Sequence, residues 1–190
     1  VTAMAAPGGT GPIGPYPERV GDDEEARIEY DRLRRRVLWS FPYGLYILGS
    51  RDGDRRNGMT INWVSQVSFE PKLVGVGIEK TAFTHELVTA GGVFSVNTVA
   101  RADRAIVRKF TKPVEVDTDA MTLNGFGFHD GATGAPILDG APAYVDCEVR
   151  QAVDCGGHTF FIGEVVDTAF QADEDTEVLR MEDTRMSYGG

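Results

Sequence analysis

The sequence predicts a mainly β domain with a few helices, arranged as a closed or split β-barrel. Beyond Pro42, the chain alternates short runs rich in β-branched and aromatic residues with turns rich in glycine, aspartate and asparagine. Many short strands with few helices favour a barrel, because closure removes exposed sheet edges. The predicted strands are residues 43–50, 58–64, 73–78, 93–98, 143–153 and 159–170.

Three helices accompany these strands. Acidic residues follow Gly21 and arginines follow Asp31, an order that suits the dipole of one helix before Pro42. Residues 83–90 and 102–110 have helical character and are followed by Gly91 and Pro113. The polar, glycine-rich stretch 154–157 predicts a hairpin between the last two strands.

Length and composition restrict the organisation of the chain. A length of 190 residues predicts one domain, and 42% hydrophobic residues are enough for a real core. Residues 1–21 contain five glycines and four prolines, which predicts a flexible arm before a domain spanning 22–190. Because 29 acidic residues outnumber 19 basic ones, a nucleic-acid partner is disfavoured.

Targeting signals and metal-binding patterns are not found in the sequence. No apolar run is long enough to span a bilayer, and the start lacks a secretory pattern, so we expect a cytoplasmic protein with no membrane partner. The three histidines and two cysteines lack the spacing of a metal site. We expect Cys147 to be a buried apolar residue and Cys155 to lie in a turn.

One segment has the composition of an anion site. Lys80, Thr81 and Thr84 lie where a predicted strand ends and a helix begins. A helix start offers unpaired N–H groups and a positive dipole end, to which hydroxyls and a cation add. The segment therefore suits a phosphate, although a threonine N-cap beside a solvated lysine is also consistent with it.

Several further motifs, taken in order, resemble those of flavin reductase-like FMN-binding proteins. Each motif is weak alone, but their order and spacing across residues 39–188 are specific. The motifs are Asn57-Gly58-Met59-Thr60-Ile61-Asn62-Trp63, Val67-Ser68-Phe69-Glu70-Pro71, Thr81-Ala82-Phe83-Thr84, Phe94-Ser95-Val96-Asn97, Gly156-Gly157-His158-Thr159 and a closing Arg185-Met186-Ser187-Tyr188-Gly189.

The resemblance implies a split β-barrel that binds FMN, or sometimes FAD, near the interface of a homodimer. It implies that the strand containing Thr60, Ile61, Asn62, Trp63 and Val64 lies along the isoalloxazine ring. The same resemblance places Lys80, Thr81 and Thr84 at the phosphate and Asn97 near the cofactor.

Three aromatic residues have more than one interpretation. His158 occupies the family's Gly-Asp-His position, which implies a nicotinamide-positioning role, but residue 157 is glycine, and packing is the alternative. Trp63 covers a flavin face or fills the barrel. Tyr188 reaches the flavin, closes a dimer interface or caps the last strand.

The resemblance implies an NAD(P)H:flavin oxidoreductase that transfers hydride from NADH or NADPH to FMN, with reduced flavin supplied to a monooxygenase in some systems. The alternative is an FMN-binding electron-transfer flavoprotein without efficient NAD(P)H oxidation. A third interpretation is a barrel that has lost flavin and serves only in protein interactions.

Overall fold

The computed structural model describes residues 16–186 and 188, which belong to two compact units. The first unit contains the described residues up to Phe41, together with Tyr188. Its helix α1 (Glu24–Trp39) begins where the Asp23 side chain accepts a hydrogen bond from the Ala26 N–H at 2.8 Å. Of the predicted arm, residues 1–15 lie outside the described residues, and a short 3-10 helix occupies Glu18–Val20.

The second unit spans Pro42 to Met186 in its described part and is mainly β, as the sequence predicts. One α-helix, α2, covers Phe83–Gly91. Short 3-10 helices occupy Arg101–Asp103, Ile106–Arg108 and Met181–Asp183. The strands are β1 (Tyr46–Asp52), β2 (Arg55–Ile61), β3 (Val64–Ser68), β4 (Leu73–Glu79), β5 (Val93–Thr98), β6 (Val116–Asp117), β7 (Thr122–Leu123), β8 (Phe126–Asp130), β9 (Pro136–Leu138), β10 (Ala143–Cys155) and β11 (His158–Phe170).

The strands form a seven-stranded sheet in the order β2-β1-β5-β10-β11-β4-β3 and a four-stranded sheet in the order β6-β7-β8-β9. Every pairing is antiparallel. The two edge strands of the large sheet, β2 and β3, are joined by Asn62 and Trp63 alone. Three Cα–Cα steps span at most about 11 Å. The sheet must therefore curl until its edges approach, which gives a split barrel without a closing ladder.

Neighbouring residues of β1 contribute to two different cores, as the alternation of a strand requires. Leu48 packs with Phe94 and Phe161 in one cluster of buried side chains from the large sheet. Ile47 belongs to a second cluster, which includes residues of the small sheet and of the segment 106–110. The small sheet thus covers one face of β1 and β5.

Six predicted strands are confirmed as β1, β2, β4, β5, β10 and β11, and the helix predicted at 83–90 is confirmed as α2. The predicted helix at 102–110 is wrong, because the segment forms two 3-10 turns. Its carbonyls bond to β2 instead: Thr60 donates its hydroxyl to the Val107 carbonyl at 2.6 Å and its N–H to the Phe110 carbonyl at 3.0 Å.

Candidate active site

The link between the two edge strands contains a buried amide with an unsatisfied donor. The Asn62 carbonyl accepts a hydrogen bond from the Val64 N–H at 3.1 Å. Asn62 is 3% exposed, and its side-chain Nδ2 has no hydrogen-bond partner among the described residues. An unsatisfied buried polar group costs about 1–3 kcal/mol. This amide therefore marks a place where a ligand acceptor would be stabilising.

Trp63 follows Asn62 in the chain and packs on β4 and on the first residue of β11. Its carbonyl accepts a hydrogen bond from the Gly77 N–H at 3.0 Å. A Cβ at Gly77 would lie 3.1 Å from the indole Cε3, so the glycine leaves room for the ring. The indole and the His158 imidazole have centroids 4.8 Å apart and planes inclined by 55°. The structure thus brings the predicted residues Trp63 and His158 together.

The remaining predicted residues of this strand differ in burial. Ile61 is 5% exposed and belongs to the barrel core. Thr60 is half-buried and its hydroxyl bonds to Val107. Val64 is half-buried, pairs with Val76 in β4 and borders a cleft of about 390 Å³ that continues past Tyr46.

The predicted anion segment connects β4 to α2. Ala82 occupies the N-cap position of α2 without a side-chain cap, so the threonine N-cap interpretation is wrong. Thr81 is exposed. Lys80 donates its N–H to the Gly157 carbonyl at 3.0 Å, and its ammonium contacts both Asp154 carboxylate oxygens at 2.9 Å. Lys80 is therefore ion-paired to the β10–β11 hairpin tip.

Thr84 lies in the first turn of α2 and belongs to a small buried polar group. It is 1% exposed, and its hydroxyl accepts a hydrogen bond from Asn57 Nδ2 at 2.7 Å. Asn57 pairs in register with Ser50, which is fully buried and whose Oγ has no partner among the described residues. Of the two predicted threonines, Thr81 alone presents an exposed side chain.

His85 was not singled out by the sequence, because a lone histidine in a helix is ordinarily a packing residue. Its Nε2 lies 2.7 Å from the Thr159 hydroxyl, and its ring packs on Phe161. Burial, and then the nearby charge of Lys80, lower the pKa of His85. The imidazole is therefore mainly neutral at pH 7 and joins α2 to the start of β11.

Asn97 is fully buried and connects three strands. Its Nδ2 donates to the Ile47 carbonyl at 3.1 Å, and its Oδ1 accepts from the Leu138 N–H at 2.8 Å. The side chain therefore holds β9 against β1 and β5. Tyr188 belongs to the first unit, whereas the other predicted site residues belong to the second.

A second cleft, of about 570 Å³, lies between the small sheet and the 3-10 turns and contains no predicted site residue. In the described ranges 16–186 and 188, no three His, Cys, Asp or Glu side chains form a group that could hold a metal. Within the same ranges, no helix has the length and apolar character needed to cross a membrane.

Comparison with known proteins identifies the family. The model of the flavin reductase like domain matches residues 38–189. An NADH-dependent FAD reductase from Streptomyces globisporus is 32% identical over 140 residues, which are 72% of this chain and 75% of that protein. A high molecular weight rubredoxin from Moorella thermoacetica is 34% identical over 136 residues, which are 70% of this chain but only 58% of the relative.

Solved structures agree with this assignment. An NADH:FAD oxidoreductase from Streptomyces globisporus superposes with a TM-score of 0.72 at 27% identity, over 86% of this chain and 94% of that one. The flavin reductase component of a bacterial two-component tryptophan halogenase gives 0.67 at 28% identity, over 79% and 92%. The chain is a split-barrel protein, and it belongs to the flavin reductase like family.

Proposed function

We propose that the protein is an NAD(P)H:flavin oxidoreductase that uses FMN, with FAD as the other candidate flavin. The observation that carries the proposal is the buried, unsatisfied Asn62 amide beside the packed pair Trp63 and His158. A polar donor without a partner among the described residues, on the same strand link as a packed indole, suits a flat heterocycle with ring acceptors. The family and its NADH-dependent FAD reductase relative support the same activity.

The isoalloxazine would lie along the split between β2 and β3. Asn62 Nδ2 would donate a hydrogen bond to a ring acceptor, and Trp63 and Val64 would supply apolar contact. Ile61 supports this strand from the barrel core. Thr60 would act from behind, since its bonds hold segment 107–110 against the strand.

The flavin phosphate would lie at the start of α2. The Thr81 hydroxyl and the first N–H groups of the helix are suitable donors, and Lys80 is the nearest cation along the chain. Thr84 would act through the packing of the first turn, because its hydroxyl is buried against Asn57. Asn97 would help indirectly by holding β9, and Tyr188 is proposed to contact the flavin or a partner subunit.

His158 would position the nicotinamide. A bound flavin supplies the electron-accepting chemistry, taking a hydride from NADH or NADPH. The His158 imidazole packs against the Trp63 indole, and pairing with Glu79 places the His158 backbone at the start of β11. A residue held by these contacts can orient a second ring for transfer.

A second function, electron transfer by bound FMN without efficient NAD(P)H oxidation, is favoured by one observation. Residue 157 is glycine, and the nearby Asp154 carboxylate bonds to Lys80 and to the Gly156 N–H. Glycine thus stands where the reductase motif has an acid, and the nearby Asp154 carboxylate is bonded to other groups.

The proposed assembly is a homodimer located in the cytoplasm, which passes reduced flavin to a monooxygenase. The second unit has exposed apolar side chains, including Phe69 and Phe170, which support a surface that a partner subunit covers. The halogenase reductase component supports delivery of flavin to a separate enzyme. Light scattering tests the assembly, because a monomer that binds flavin normally would contradict the dimer.

The activity is tested with the purified protein and its Asn62→Leu variant. We expect FMN-dependent oxidation of NADH or NADPH by the wild type, and weaker FMN binding by the variant without loss of folding. Gln151→Leu, which alters an exposed amide on β10, is the matched control and should bind FMN normally. Flavin binding without turnover would support the carrier, and the absence of flavin binding by the folded wild type would exclude both functions.

A further inference from the structure

We propose that Asp154 sets how tightly the protein holds the flavin phosphate, an inference that rests on the proposed flavin site. The Asp154 carboxylate engages Lys80, the cation adjoining the proposed phosphate site, and places a negative charge there. Asp154 thereby weakens phosphate-dependent binding and keeps FMN exchangeable. Lys80 and Asp154 form an exposed ion pair.

The geometry of this pair is specific. Lys80 Nζ lies 2.9 Å from each carboxylate oxygen of Asp154, so the ammonium contacts both oxygens. Asp154 Oδ1 also accepts the Gly156 N–H at 2.8 Å, which fixes the carboxylate within the hairpin tip. The Lys80 N–H donates to the Gly157 carbonyl at 3.0 Å. The tip is thus joined to the end of β4 at two points.

The charge of Lys80 lies near the start of α2, because it lowers the pKa of His85 in the first turn of that helix. Lys80 directly follows β4 and directly precedes Thr81, so their Cα atoms are about 3.8 Å apart. Helix α2 begins three residues after Lys80. A phosphate bound by Thr81 and the helix start would therefore meet a lysine that already has a carboxylate partner, and it would compete with that carboxylate.

The charge state and exposure of the pair allow such competition. Lys80, and then the Gly156 N–H, lower the pKa of Asp154, so the carboxylate is ionised at neutral pH. The two side chains are 38% and 74% exposed. Exposed ion pairs contribute little to stability, so a phosphate can displace this one at low cost.

The test compares FMN with riboflavin, which has the same ring but no phosphate. Dissociation constants are measured by fluorescence titration at low ionic strength, where surface charges are least screened. We expect Asp154→Asn to tighten FMN binding by about two- to fivefold, the range that an exposed charge pair supplies. Riboflavin affinity should not change.

A double-mutant cycle with Lys80→Met tests the link between the two residues. Lys80→Met should weaken FMN binding more in the Asp154→Asn background than in the wild type, because there the lysine is released toward the phosphate. Asp119→Asn, in the turn between β6 and β7, removes an equal charge elsewhere and should leave both affinities unchanged.

The outcomes separate this proposal from the flavin site itself. Unchanged or weaker FMN binding by Asp154→Asn, or equal shifts for FMN and riboflavin, would overturn the role of Asp154. If the folded wild type bound neither flavin, the proposed function itself would be wrong. Circular dichroism of each variant establishes that folding is retained.

Discussion

The His158 imidazole packs on the Trp63 indole, with ring centroids 4.8 Å apart. Trp63 belongs to the link between the two edge strands of the large sheet, and His158 begins β11. The contact therefore joins the split of the barrel to a central strand. It places the residue proposed to orient the nicotinamide beside the proposed flavin ring.

Replacement of His158 by alanine tests this relationship. We expect NADH oxidation to fall by about 10- to 100-fold, since misplacement of a reactant by about 1 Å costs on that order. Flavin affinity should change much less, because the proposed flavin contacts lie on the β2–β3 link. Stopped-flow measurement of flavin reduction and flavin titration separate the two effects.

The control for this variant is His129→Ala. His129 lies on the small sheet, where its Nδ1 is 2.9 Å from Asp139. We expect wild-type reduction rates from it. Unaltered reduction kinetics in His158→Ala would remove His158 from the proposed nicotinamide site.

The main strands were predictable because each is a run of apolar and β-branched residues that can be recognised locally. Strand β3 was missed because Ser65, Gln66 and Val67 are exposed, so burial imposes no hydrophobic pattern on them. The strands of the small sheet have two to five residues, too few for periodicity. The helix predicted at 102–110 is wrong because hydrogen bonds from Thr60 to this segment override its local preference for a helix.

The site was only partly predictable for a similar reason. The order of motifs indicated Asn62, Trp63 and His158. It did not indicate that the Trp63 and His158 rings are in contact. The Lys80–Asp154 pair and the His85–Thr159 contact each join residues 74 positions apart. Such pairings follow from the register of β4, β10 and β11, which no local pattern specifies.

A glycine in the centre of β11 is predicted to be required for packing. A Cβ at Gly163 would lie 2.7 Å from the Phe94 ring and 2.8 Å from Cys147 Cβ. Gly163→Ala should lower the free energy of unfolding by about 1–3 kcal/mol, as overpacked cores do. Urea denaturation provides the measurement.

Gly157→Ala is the matched substitution at the hairpin tip, where an added Cβ meets nothing within 4 Å. Its unfolding free energy should remain within about 0.5 kcal/mol of the wild type, as at ordinary surface sites. Equal effects of the two substitutions would contradict the packing of Gly163 against Phe94.

The two thiols should differ in reactivity. Cys147 is fully buried, and burial raises the pKa of its thiol to about 12, whereas Cys155 is exposed in the hairpin tip. Since thiolate is the reactive form, a disulfide reagent at pH 8 should label one thiol in the native protein and two in denaturant. Cys155→Ser should abolish native labelling. Rapid labelling of both native thiols would contradict the buried position of Cys147.

The pH dependence of stability should reveal the lowered pKa of His85. Its ordinary pKa is 6.5, and burial and the charge of Lys80 lower it in the folded protein. Between the two pKa values the unfolded chain binds more protons, so the free energy of unfolding rises with pH through this window. The wild type should therefore lose stability as pH falls below about 6.5, the unfolded pKa.

The variant His85→Gln removes this titration while keeping a side chain that can hydrogen-bond to Thr159. Urea unfolding at intervals from pH 7.5 to 5 should give a flatter profile for this variant than for the wild type. Lys80→Met should reduce the loss at low pH, because the like charge facing His85 is removed. If the wild type and His85→Gln had the same slope, the lowered pKa of the half-buried His85 would be wrong.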